Sequence, residues 1–200
     1  MIRTFKRAVI VTALLWVILA WGFTFLLLGL AHLLFPYQAD GSVITWHGRA
    51  VASAHVGQNF NRSLQYFWGR PSATVSPTTG KPSPYDALNS GPSNLGPTNA
   101  VLLDQIHRTI ARYLATTPGL SVHQIPISLV ESSASGLDPD ITVQSALIQI
   151  PRVAKYTGLS PRELRDLVYR EVQGPQLGVF GVRRVNVVTL NWALYRLLHR

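Results

Sequence analysis

Three serines, Ser132, Ser133 and Ser135, and the only lysine after Lys81, Lys155, are the residues whose types could run covalent chemistry. A serine hydroxyl becomes a nucleophile when a base takes its proton, and a lysine amine can act as that base when burial keeps it uncharged. Such a pair would make the chain a membrane-anchored extracytoplasmic hydrolase. Against this reading, Lys155 falls beside Tyr156 on an expected helix, where a lysine is ordinarily solvated. The six histidines, His32, His47, His55, His107, His123 and His199, show no helical i, i+4 spacing and no carboxylate at useful distance, so no metal centre is expected. Asp138-Pro139-Asp140 reads as a turn, since the later glutamate of a calcium loop is missing. With no cysteine, thiolate catalysis, disulfides and zinc-thiolate sites are excluded. No phosphate-cradling glycine loop is found, and Ser133-Ala134-Ser135-Gly136 is a short turn of small residues.

The elements that would position these residues follow from periodicity. Ser42 to Trp46 and Arg49 to Ala54, separated by His47-Gly48, predict a hairpin. Residues 69–99 shift to Gly, Pro, Ser, Thr and Asn, with six prolines, which argues against regular structure. Two readings stay open there: a flexible linker, or a long ordered loop pinned by Tyr66, Phe67, Trp68 and Tyr85. Thr98 or Asn99 caps a helix with apolar positions Leu102, Leu103, Ile106, Ile110, Tyr113 and Leu114, ended by Pro118-Gly119. Ile125 to Val130 reads as a strand. Thr142 caps a second helix that carries Val143, Ala146, Leu147, Ile150, Val153 and Ala154 and is kinked, broken or restarted at Pro151. Ser160, Pro161 and Glu163 form the start signal of a third. A strand within Val179 to Val185 precedes a last helix with Val187, Leu190, Leu194, Leu197 and Leu198. Without a repeated βαβ rhythm, the fold class is mixed α+β.

The first 34 residues set the compartment. Ala8 to Leu34 runs 27 residues without Asp, Glu, Lys or Arg, and 16 of them are Leu, Ile, Val or Phe. As a helix it is about 40 Å long, against a hydrocarbon core of about 30 Å. A cleaved signal would carry an apolar region of only about 7 to 15 residues. We therefore expect a cytoplasmic head at 1–7, a transmembrane helix at 8–34 and one extracytoplasmic domain at 35–200. Arg3, Lys6 and Arg7 precede the run, and the first cation beyond it is Arg49, which places the N-terminus in the cytoplasm. Trp16 and Trp21 lie at membrane depth, where an indole N–H seeks a hydrogen-bond partner. The net charge of +9 is scattered, with no Arg-rich stripe, and argues for an anionic lipid surface or acidic partner rather than nucleic acid.

Several blocks, in order, resemble the C subunit of the bacterial Kdp potassium-transporting ATPase. They are the apolar run; Tyr66-Phe67-Trp68-Gly69-Arg70-Pro71-Ser72; Ser90-Gly91-Pro92-Ser93-Asn94-Leu95-Gly96-Pro97-Thr98-Asn99; Ser133-Ala134-Ser135-Gly136-Leu137-Asp138-Pro139; Gln149 to Ala154, which includes Arg152; and Arg184-Val185-Asn186-Val187 with Leu190-Asn191. The resemblance implies a non-catalytic, single-span accessory subunit of a high-affinity potassium uptake complex in the cell inner membrane. Its partners there would be a channel-like potassium-selective subunit and a P-type ATPase pump subunit. The family is described as a catalytic chaperone that raises the pump's affinity for ATP. The resemblance further links a glutamine at Gln149 with nucleotide binding, and makes the motif residues, Ser135, Gly136, Asp138, Asn186 and Asn191 among them, candidates for subunit contact. No cofactor is expected on the chain itself, ATP entering only through the complex. An outward-facing Gln149 conflicts with direct contact to cytoplasmic ATP, and an ordinary helix glutamine is the simpler reading. Val143 stands where many relatives have proline, which softens the helix start.

Overall fold

A computed structural model describes residues 1–199. The chain divides into two units, Met1–Val51 and Ala52–Arg200. The first is dominated by a continuous helix, Ile2–Leu34, whose most apolar stretch has a mean hydropathy of 2.4 and none of whose length is buried. It comprises α1 (Ile2–Val17), a π-helical turn (Ile18–Phe23) and α2 (Thr24–Leu34). The helix starts before Ala8 and carries the basic head on its first turns. At about 1.5 Å per residue it is roughly 50 Å long, ample for a bilayer. A short α3 (Pro36–Ala39) follows, with proline at its start, and His32 Nε2 lies 3.3 Å from Asp40 Oδ1. Strands β1 (Val43–Trp46) and β2 (Arg49–Ser53) form the expected hairpin. His47 and Gly48 both take positive φ, 48° and 74°, as a tight two-residue turn with right-handed strand twist requires.

The second unit is a mixed helical and β domain. Asn99 opens α4 (Ala100–Thr116) by accepting from the Val101 N–H at 2.8 Å. Tyr113 is buried, while Leu103 and Leu114 of the expected apolar face are exposed. Strand β3 (Asp140–Thr142) leads into α5 (Val143–Leu147), whose cap is Thr142 Oγ1 accepting from Ser145 N. The helix restarts as α6 (Ile150–Thr157), which puts Pro151 in a first turn, where its missing N–H has no partner to lose. α7 (Pro161–Arg170) has the full capping box, and β4 (Val172–Gln173) and β5 (Arg184–Asn186) precede α8 (Val187–Leu198).

Strand β5 is central, antiparallel to β3 with Ile141 opposite Val185 and to β4 with Val172 opposite Val185. Val185 and Ile141 join Leu164, Leu167 and Val168 of α7, Leu190 and Leu194 of α8, and Val153 in one apolar core.

One expected strand is corrected and another is confined to its end. Ile125 to Val130 is not a strand; the region folds as 3-10 turns at Val122–Gln124 and Ile127–Leu129. Ser121 and Gln124 close a capping box that favours a turn, and Pro126 removes a ladder donor. Of Val179 to Val185, only Arg184 and Val185 enter a strand. Before them Leu177, Gly178 and Gly181 take positive φ and fold the chain back on itself.

The Ser160 hydroxyl, 2.7 Å from Glu163 Oε2, and next the Ser160 N–H at 2.9 Å hold the Glu163 carboxyl below its ordinary pKa. A depressed carboxyl supplies its stabilisation above the ordinary pKa and loses it as pH falls through the lowered one. Amide exchange, corrected for intrinsic rates, should show the first turn of α7 losing protection as pH falls below the ordinary glutamate range. Ser160→Ala should flatten that dependence; equal protection at pH 3 and 7 in the parent chain would contradict the assignment.

Candidate functional site

The segment that begins at Phe67 runs into the domain interior as irregular backbone. Phe67 and Trp68 are essentially unexposed, and their buried peptide groups need partners that no adjacent strand supplies. Two side-chain amides provide them. Asn191, on α8, accepts from the Phe67 N–H through Oδ1 and donates through Nδ2 to the Phe67 carbonyl, both at 2.8 Å. Gln149, entering α6, accepts from the Trp68 N–H at 2.7 Å and donates to the Trp68 carbonyl at 3.0 Å. Each amide thus acts like one residue of a neighbouring strand.

Arg152 completes the clamp. It is fully buried, and forms no ion pair with a carboxylate among the described residues. Nη1 donates to the carbonyls of Leu64 and Tyr66 at 2.7 and 2.8 Å, and Nη2 to Gln149 Oε1 at 2.5 Å. Its guanidinium lies 3.8 Å from the Trp68 ring centroid, and that of Arg112 lies 4.2 Å from the same ring. A desolvated cation over an indole contributes about 2 kcal/mol, which helps offset burial of the charge. Burial pulls the Arg152 pKa down to about 10, opposed mainly by nearby Tyr113, so Arg152 stays charged at neutral pH. Tyr113 packs 5.3 Å from the Trp68 ring, its phenol pushed up by burial. The Trp68 indole N–H donates to the Ser63 carbonyl at 2.8 Å.

Gln149 has no unused hydrogen-bonding capacity. Oε1 accepts from Trp68 N and Arg152, and Nε2 donates to the carbonyls of Trp68 and Ser145, the latter at 3.0 Å. Its side chain is buried. It has neither the exposure nor a free donor with which to hold a nucleotide in this conformation.

Around the clamp, residues 69–99 form an ordered loop tied to residues 132–138. Arg70 Nη1 pairs with Asp138 Oδ2 at 3.1 Å, Ser133 N donates to the Pro71 carbonyl at 3.3 Å, and the Ser135 carbonyl accepts from Gly91 N and Ser90 Oγ at 2.9 and 3.0 Å. The Tyr85 hydroxyl donates to the Arg70 carbonyl at 2.5 Å and covers Gly69, where a Cβ would lie 2.5 Å from that oxygen. Burial raises the Tyr85 phenol well above its ordinary range, with Asp138 adding to the effect. Gly136 takes φ +68°, and a Cβ there would sit 2.4 Å from Thr74 Cγ2.

Not every motif residue gathers here. Ser93, Asn94, Leu95 and Gly96 lie on the approach to α4, where Asn94 takes φ 53° and Asn99 is the cap. Asn186 caps α8, accepting from Val188 N and Thr189 N at 2.9 and 3.1 Å, and donates to the Ala54 carbonyl at 2.6 Å. Lys155 is exposed, its ammonium 5.6 Å from the Tyr156 ring centroid, and lacks the burial that a lysine base requires. Among the described residues no group of three or more His, Cys, Asp or Glu could hold a metal. Sequence reasoning missed Arg112, Ser63 and Thr74. Arg112 sits one position before Tyr113 on α4, a place that periodicity assigns to the solvated side.

Gln149→Ala would strand the buried N–H and carbonyl of Trp68, the Ser145 carbonyl and one Arg152 donor. Unmet buried groups cost about 1–3 kcal/mol each, so a loss of about 3 kcal/mol or more is expected. Asn191→Ala strands one peptide unit and should cost about 2–3 kcal/mol. Denaturant titration of the detergent-solubilised chain, followed by Trp fluorescence, checks both. A change within 0.5 kcal/mol, the size of an ordinary surface substitution at roughly that level, would remove the clamp from the account.

Residues 5–196 match the family model described as K+-transporting ATPase, c chain. The chain is 44% identical over 199 residues to the potassium-transporting ATPase KdpC subunit of Rhodopseudomonas palustris strain TIE-1, covering 97% of each chain. It is 48% identical over 171 residues to that of Methylobacterium nodulans, covering 83% of each, and 44% identical over 191 residues to that of Janthinobacterium sp. strain Marseille, covering 96% of this chain and 97% of the relative. With a family match along nearly its whole length and relatives of equal extent, the chain belongs to the KdpC family, the c chain of the K+-transporting ATPase.

Proposed function

We propose that this chain is the single-span accessory subunit of a high-affinity, ATP-driven potassium uptake complex, assembling and stabilising the complex without catalysing a reaction itself. The family match along residues 5–196 carries this reading. The exposed apolar helix Ile2–Leu34 anchors it in the cell inner membrane. Its basic head lies in the cytoplasm, residues 8–34 span the bilayer and the domain at 35–200 lies outside. The companion chains are a channel-like potassium-selective subunit and a P-type pump subunit, and the motif residues of the ordered 69–99 loop serve their contact. Any gain in the pump's ATP affinity then passes through subunit contacts. The saturated, buried amide of Gln149 supports that indirect route, because it has no group to offer a phosphate or a base.

The Ser/Lys hydrolase is not favoured, since Lys155 is exposed. Val143 starts α5 directly after the Thr142 cap, so a proline is not needed for that turn to form.

Purified in mild detergent from membranes expressing the whole operon-encoded complex, the chain should bring down a multi-span ATPase; recovery of the chain alone overturns the subunit reading. Because the chain has no cysteine, Asp40→Cys and His199→Cys report topology directly. Both should react with a membrane-impermeant maleimide in intact spheroplasts, and labelling only after permeabilisation would reverse the orientation. Photolabelling of the complex with an azido-ATP should fall equally in Gln149→Ala and Asn191→Ala if Gln149 acts through the fold. Loss confined to Gln149→Ala would restore direct nucleotide contact.

A further inference from the structure

Between β4 and β5 the chain projects a tip, residues 174–183, in which Leu177 to Val182 carry no polar side chain. Leu177 is 90% exposed, Val179 77%, Phe180 66% and Val182 72%. Together they present on the order of 400 Å² of apolar surface, the size of the largest patches found on ordinary monomers. The tip is closed by its own hydrogen bonds. Gln176 N donates to the Phe180 carbonyl at 2.8 Å and Phe180 N returns to the Gln176 carbonyl at 2.9 Å, while Gly178 and Val179 donate back to Pro175 and Gln176. Its base is the β4–β5 pairing, with Gln173 opposite Arg184.

We infer that this tip is an anchor that inserts into an apolar pocket with an acidic rim on a companion chain of the same ATPase. The inference rests on the subunit reading above and adds to it the surface of contact. Four observations select that occupant. A c chain works beside other chains, so a permanent interface exists to be filled, and such interfaces are apolar at their centre. The exposed apolar area is about half of what one partner contributes to a stable interface of about 800 Å² a side, which fits a central anchor surrounded by a polar rim. The reciprocal Gln176–Phe180 bonds and the Gly178 and Val179 N–H bonds turn those backbone groups inward, so strand addition across them is disfavoured and contact there is through side chains. Arg183, next to Val182, is exposed and in no ion pair among the described residues, which calls for acidic groups opposite. A bilayer surface is a poorer match. Phe180 is the tip's one aromatic and Arg183 its one unpaired cation, with no Trp, Tyr or lysine cluster of the kind that holds a loop at lipid headgroups. Because the hydrogen bonds and the strand base hold the tip in shape, little ordering entropy remains to be lost on docking.

The test uses Phe180→Cys, a unique thiol in this chain, carrying a benzophenone maleimide in membranes that contain the assembled complex. Irradiation should join residue 180 to a companion chain, identified by mass spectrometry of the adduct. Phe180→Asp should lower recovery of companion chains with this subunit by about tenfold or more, with its denaturation midpoint unchanged because the residue is exposed. Adducts found only with lipid or with a second copy of this chain, or no adduct at all, overturn the inference, as does unchanged recovery of the aspartate variant. If the parent chain recovers the ATPase while residue 180 forms no companion adduct, the tip inference fails and the subunit reading stands. If the parent chain recovers no ATPase, the subunit reading has failed first.

Discussion

A peptide chain that enters a protein interior as irregular backbone must find partners for its N–H and C=O groups, and the second unit of this chain is arranged around meeting that demand at Phe67 and Trp68. Asn191 and Gln149 each engage one buried peptide unit from both sides. They come from α8 and from the start of α6, so the clamp also ties those elements to the segment that follows the β1–β2 hairpin in sequence and precedes the long loop. Arg152 is the cost of the arrangement and part of its solution. Its charge is surrounded by carbonyl oxygens and an indole face rather than a carboxylate, which leaves it dependent on every one of those contacts.

From the clamp outward, the loop at 69–99 gains its order. Arg70 leaves the interior directly after Gly69 and meets Asp138, and the Tyr85 hydroxyl closes over the glycine. The loop's six prolines reduce the backbone entropy lost on folding, and its hydrogen bonds run both within the loop, as from Ser83 N to the Thr74 carbonyl and from the Tyr85 hydroxyl to the Arg70 carbonyl, and outward to residues 132–138. The result is an ordered surface without regular structure, held by hydrogen bonds within the loop and to residues 132–138.

Asp140 and Arg184 carry the same logic to the sheet. Their side chains lie 2.9 Å apart across the β3–β5 pair, and burial raises the Asp140 carboxyl pKa while Arg184 opposes that rise. Polar groups thus fix register and chain direction in this domain, at α8 through Asn186 and at the sheet through this pair.

Local rules in the sequence sufficed for elements whose causes are local. The apolar length of Ile2–Leu34, the His47-Gly48 turn, the Asn99 and Thr142 caps, and the Ser160-Pro161-Glu163 box each depend on residues within a few positions of one another. Family kinship was also legible, because it resides in ordered blocks of sequence. What Gln149, Arg152 and Asn191 do was decided by tertiary structure alone, since their partners lie 81 to 124 residues away for Gln149 to Trp68 and Asn191 to Phe67, and no spacing rule links them. The misread strand at Ile125 to Val130, and the confinement of the other to Arg184 and Val185, have a related reason. The runs at Ile125 and Val179 had strand composition, but Pro126 and a competing capping box kept the first out of any ladder, and the positive-φ positions Leu177, Gly178 and Gly181 limited the second to its end at Arg184 and Val185. Composition determines what a segment can bury; only the folded chain determines which backbone groups remain for it to pair with.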